Sequence, residues 1–135
     1  MSKGIGGSAR VVMQDADTVV YEYYAYNLKE EKYRNSEHTY DGMITIDKHS
    51  LVEPEIHEKL KKLPSGRKQL ITKRIPRDVD YATLIAAGQI SVENSKFCWR
   101  TLDNGIGLIA MHIIFKIFNL YQSEGAVPEA VGYHV

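Results

Sequence analysis

An α+β fold is predicted: a mainly antiparallel sheet of about five strands with three helices, the last of them long, apolar and packed on the sheet. Three observations carry it. Short runs dense in β-branched and aromatic residues recur between turn signals. Apolar residues at helical spacing stand between those runs. The stretch from about 106 to 122 is apolar nearly all round, which suits a helix at the centre of a core.

The opening residues 1–8 are glycine-rich and read as a flexible lead. Ala9 to Met13 is an apolar run suited to a strand, and Asp15-Ala16-Asp17 reads as a turn. Thr18 to Tyr26 (TVVYEYYAY) is a second strand. One of its faces carries Val19, Tyr21, Tyr23 and Ala25, the other Val20, Glu22, Tyr24 and Tyr26. Both faces are apolar, which predicts a central strand covered on each side. Asn27 to Thr39 is polar and reads as a loop with a single helical turn. Met43 to Lys48 is a third strand with Ile44 and Ile46 on one face.

Ser50-Leu51-Val52-Glu53 matches a capping box, in which serine and glutamate each satisfy an amide of the first turn. It predicts a short helix to Lys62 with Ile56, Leu60 and Leu63 as its stripe, stopped by Leu63-Pro64-Ser65-Gly66. Arg67 to Ile75 reads as a strand, and Asp78 as the cap of a helix that Gly88 closes. Asn94 to Leu102 alternates like a strand, and Asp103-Asn104-Gly105 turns the chain into the long helix. The resulting order is β-β-β-α-β-α-β-α, with no assignment for the tail from Ala126.

At 135 residues the chain is expected to form a single α+β domain, 1–135, able to bury roughly two-thirds of its unfolded surface. Apolar residues at 44% and charged residues at 25% argue against general disorder. Cys98 stands alone, so no internal disulfide forms and a reducing, cytoplasmic setting is expected. The start lacks the apolar core of a signal peptide, and 106–118 falls short of a bilayer span, so no membrane association is expected.

Net charge is zero, yet charge is segregated. Residues 14–58 hold eleven acids and four bases, whereas 59–77 hold eight bases and no acid. Within that segment Lys61, Lys62, Arg67, Lys68, Lys73, Arg74 and Arg77 are the candidate binding residues, with Lys59 beside them. A shared cationic surface suits an acidic protein, or phosphates. No aromatic residue interleaves with the bases, which counts against nucleic acid.

Asp103-Asn104-Gly105-Ile106-Gly107 resembles, over five residues, the D-x-G-x-G box of the gyrase and histidine-kinase ATPases, whose aspartate reads adenine. That resemblance implies an asparagine-bearing helix upstream and a glycine-rich lid downstream. Here 79–87 lacks an asparagine and a long apolar helix follows. A strand-to-helix turn is the expected role, with amides at the helix start open to an anion. His57-Glu58 lacks the second histidine of a zinc-protease helix. Asp47, His49 and Glu53 are weighed as a metal set, and Cys98 with His112 as a thiol–imidazole pair, but core or surface roles suit them better. No cofactor and no metal are expected.

The expected function is a non-catalytic protein-binding module, immunity- or adaptor-like, in a bacterial cytoplasm. The alternatives are a small enzyme assembled from His38, Asp41, His49, Glu22, Cys98 and His112, and a nucleic-acid binder using the 59–77 basic segment.

Overall fold

Turn chemistry sets the first hairpin. Strands β1 (Ile5–Gln14) and β2 (Thr18–Asn27) pair antiparallel, and the Asp15 carboxylate accepts the amides of Asp17 and Thr18 at 2.8 Å to close the turn between them. The computed structural model describes residues 3–135. Of the opening eight residues, Met1 and Ser2 lie outside that range, while Gly6 and Gly7 are already paired on both sides within β1.

β2 is the centre of a five-stranded antiparallel sheet. On one side it pairs with β3 (Gly42–Asp47), which in turn pairs with β6 (Ile90–Glu93). On the other side β1 pairs with β7 (Ala130–His134), the tail left unassigned from sequence. A second sheet has two strands only, β4 (Glu55–Lys62) and β5 (Lys68–Ile75).

The inward face of β2 holds Val19, Tyr21, Tyr23 and Ala25, all fully buried, as its alternation predicted. They pack with Ile44 and Ile46 of β3 under helix α2 (Leu108–Glu124), which contributes Ile109, Ile113, Ile114, Ile117 and Phe118. The buried phenols find partners: Tyr21 donates to the Pro128 carbonyl, and the Tyr23 oxygen accepts the Ser95 amide. Burial pushes the Tyr23 phenol up to about 12. The opposite face of β2 is covered at one end by the 28–41 loop, which includes a 3-10 turn (Glu31–Tyr33) and lays His38 flat on Tyr24 with centroids 4.6 Å apart.

Three sequence expectations are corrected. Among the described residues there are two α-helices, not three: residues 50–62 contain only the end of a 3-10 turn (Lys48–Ser50), then an extended segment and β4. Pro54 holds Glu53 extended and removes an amide, so the capping box does not form. The Ser50 hydroxyl instead donates to the Asp47 carbonyl, and Glu53 accepts from the Tyr121 hydroxyl. Asn94 to Leu102 is not a strand; β6 ends at Glu93, and the segment beyond it is a loop with one bridge, Thr101 to Gly107. The Asn94 side chain holds that loop by bonding both the Gly105 carbonyl and the Gly107 amide at 2.8 Å. Finally, Asp80 rather than Asp78 caps α1 (Tyr81–Ala86), accepting from both the amide and the hydroxyl of Thr83.

A methyl group at Gly42 would stand 2.2 Å from the buried Tyr23 ring. Gly42→Ala is therefore expected to destabilise the fold by about 1–3 kcal/mol through overpacking, read as a lower urea midpoint at unchanged slope.

Candidate functional site

Leu63 and Arg67 close a three-residue loop, Pro64-Ser65-Gly66, in which Gly66 takes the left-handed conformation (φ 84°) and donates to the Leu63 carbonyl at 2.9 Å. The segment expected to stop a helix is thus the tip of the β4–β5 hairpin. Among the described residues, the body meets this ribbon at its base, through Arg74. Every residue of both strands is exposed except Ile75, which is half-buried at the base.

Register sorts the ribbon into two faces. Ile56 with Arg74, Glu58 with Thr72, Leu60 with Leu70 and Lys62 with Lys68 share one. Leu60 (62% exposed) and Leu70 (56%) form an apolar pair on it, and Ile56 (53%) lies nearer the base beyond Glu58–Thr72. The other face carries His57 with Lys73, Lys59 with Ile71 and Lys61 with Gln69. Six of the seven candidate binding residues, Lys61, Lys62, Arg67, Lys68, Lys73 and Arg74, therefore lie on the arm, joined by Lys59, and Arg77 follows it. They stand on both faces of a ribbon, where a helix beside a strand had been expected. Among the described residues the ion pairs are Arg10–Glu22, His49–Asp17 and His57–Glu55, so no carboxylate neutralises any base of 59–77.

The base of the arm is fastened to the carboxyl end of α2. Gln122, buried to 1%, accepts the Arg77 amide (2.7 Å) and donates to the Arg77 carbonyl (2.9 Å), acting as one rung of a ladder. Arg74 donates to the Gln122 carbonyl and lies against Gly125, where a cation meets the negative end of the helix. Two candidate binding residues thus have an anchoring role that periodicity does not reveal.

The dispersed candidates for chemistry have separate hydrogen-bond partners, although Asp41 and Cys98 both lie near enough to the Tyr23 phenol to raise its pKa. The Cys98 thiol donates to the Arg100 carbonyl, while His112 stacks on Tyr133 with centroids 4.4 Å apart; no hydrogen bond joins the two. Burial lowers the His112 pKa. His49 bonds Asp17 at 2.9 Å, a contact that raises its pKa, whereas Asp47 caps the His49 amide and Glu53 takes Tyr121. His38 belongs to the ring stack, Glu22 pairs with Arg10, and Asp41 accepts the Lys96 amide. Among the described residues no cluster of three His, Cys, Asp or Glu could hold a metal ion. At the start of α2, the amides of Ile106, Gly107 and Leu108 are taken by Asn104, Asn94 and the Arg100 carbonyl. No helix of the described residues is long and apolar enough to cross a membrane.

The open sheet face offers a second surface. Beyond the loop that covers Tyr24, one row across it runs Met13, Val20, Thr45, Ser91 and the next Arg10, Glu22, Met43, Glu93. Met13 is 56% exposed and Met43 39%.

Gln122→Met preserves the bulk of the side chain and orphans both backbone groups of Arg77, at a cost of about 1–3 kcal/mol. Amide exchange at Arg77 and along β5 is expected to accelerate while β2 stays protected; unchanged exchange would contradict the anchoring role. No protein-family model, no curated protein and no solved structure matches this chain.

Proposed function

We propose that the protein is a non-catalytic protein-binding module, adaptor- or immunity-like, which docks its β4–β5 arm onto an acidic surface of its partner. The observation that carries this reading is the composition of the arm. Residues 55–75 hold seven bases against Glu55 and Glu58, none of those bases neutralised within the described residues. Ile56, Leu60 and Leu70 lie in the open among them.

An apolar centre rimmed by cations is the anatomy of a protein interface, in which apolar contact supplies affinity and charge selects the partner and speeds encounter. A bare polyanion has little use for three exposed aliphatic side chains. Base stacking would call for aromatics, which the arm lacks. The dispersal of His38, Asp41, His49, Glu22, Cys98 and His112 over separate hydrogen-bonding arrangements favours binding over catalysis. The lone Cys98 supports a reducing, cytoplasmic workplace.

The test uses the full chain as bait beside Lys62→Glu/Lys68→Glu and Leu60→Asp/Leu70→Asp, whose side chains are exposed and whose folds circular dichroism can verify. A purified captured protein is expected to bind each variant at least about ten-fold more weakly than the wild type. Rising salt should weaken the wild type and leave the charge-reversed variant nearly unaffected. Equal binding by all three would overturn the reading. Tight, salt-sensitive binding of oligonucleotides, lost in Lys68→Glu/Lys73→Glu, would replace it with nucleic-acid recognition.

A further inference from the structure

Resting on the reading just given, we infer that one partner of the arm is a second copy of this chain: the Leu60–Leu70 face of each arm docks on the Met13–Met43 sheet face of the other copy, in a reciprocal dimer. Charge directs the choice. The chain is neutral overall, but residues 55–75 carry seven bases and two acids, so the arm is net positive and the remainder equally net negative. A second copy thus supplies a matching surface of opposite sign at equal concentration.

The two faces match in detail. On the arm, Leu60 and Leu70 sit between the Lys62–Lys68 pair and the Glu58–Thr72 pair, with Ile56–Arg74 beyond at the base. On the sheet, Met13 and Met43 are exposed beside Val20 and Thr45, and Glu93 and Asp47 occupy the same face as Met43. Glu93 has no ion-pair partner among the described residues. Methionine adapts its shape to an incoming aliphatic chain. The 28–41 loop covers the Tyr24 end of that sheet face and leaves the Met43 end open.

Arm-to-arm packing is disfavoured, because it would oppose Lys62, Lys68 and Arg74 of both copies with only Glu58 of each to offset them. A single arm-to-sheet contact is also small. A ribbon of eight residues is about 26 Å long and roughly 10 Å wide, well short of the ~800 Å² a side of a standard interface. A two-fold pair doubles the contact and closes the assembly, which keeps it from growing into a filament.

Sedimentation equilibrium on the full chain across a broad concentration range tests this. The wild type is expected to pass from monomer to dimer, with dissociation favoured by salt. The arm variant Leu60→Asp/Leu70→Asp and the sheet variant Met43→Lys/Glu93→Lys should each weaken dimerisation about ten-fold or more. Mixing the two leaves one intact arm-to-sheet contact, so association should stay weaker than that of the wild type. A wild type monomeric throughout, a dimer indifferent to either variant, or a mixture as tight as the wild type would each overturn the inference. The outcomes also separate the two readings. A monomer that still captures a different protein through its arm sinks only the self-association, whereas arm variants that capture as well as the wild type sink the docking role beneath it.

Discussion

A strand that is apolar on both faces has to be covered twice, and β2 imposes that condition on everything around it. Its inward residues Val19, Tyr21, Tyr23 and Ala25 demand a helix, and α2 answers with an almost unbroken apolar surface. Its outward residues Val20 and Tyr24 are also buried. Tyr24 is enclosed by rings that the 28–41 loop folds back over it: His38 stacked and Tyr40 edge-on at 4.9 Å, with the Arg10 guanidinium 3.8 Å from the Tyr40 ring. A loop with only a 3-10 turn of regular structure is held in place by this aromatic stack and by Asn35, which bonds the Ala25 carbonyl and the Thr39 backbone. β2 thus fixes both the helix and the loop, and it also decides how much of the sheet stays open.

The β4–β5 arm lies outside this arrangement. Among the described residues it shares no core residue with the five-stranded sheet, and both of its strands are exposed along their length up to Ile75. A lone hairpin is marginally stable in water. What holds this one is its Pro64-Ser65-Gly66 loop at the tip and the Gln122 and Arg74 bonds at the base, which tie it to a helix the core cannot release. The charges add a cost, since bases crowd the ribbon with Lys62 directly opposite Lys68. Selection for stability alone would have favoured acids at alternate positions. Their scarcity is intelligible where the missing carboxylates belong to another molecule.

How much of this was legible in the sequence follows from the range of the forces involved. The alternation of Thr18 to Tyr26 and the apolar run near 106–122 declare their environments residue by residue, so the central strand and the main helix were readable. Ile56 and Leu60 are four apart, a spacing that fits a helical stripe and one face of a strand equally well; Pro54 and the pairing with 68–75 decide between them. Phe97 and Trp99 alternate as in a strand, but Asn94 and Ser95 spend their hydrogen bonds on loop geometry instead. β7 is short and finds its partner at the opposite end of the chain, which no local pattern announces. The cationic segment was visible as composition. Its presentation on a projecting ribbon, with an apolar face among the bases, required the pairing register.

On the docking role proposed above, order in the arm and recognition by it would be coupled. With few contacts beyond its base, the ribbon would be stabilised by any occupant that fits the Leu60–Leu70 face. The affinity of such a complex would be the contact energy less the cost of ordering the tip. Gln122 and Arg74 lessen that cost by fixing where the ribbon leaves the body, so that only the distal part remains to be ordered. Long lysines add reach without adding rigidity, which on the proposed reading would draw an acidic surface in before the leucines make contact. The division of labour follows from the register itself: charge toward the tip and along both faces, aliphatic side chains at the middle of one face, and the anchoring hydrogen bonds where the arm meets the helix.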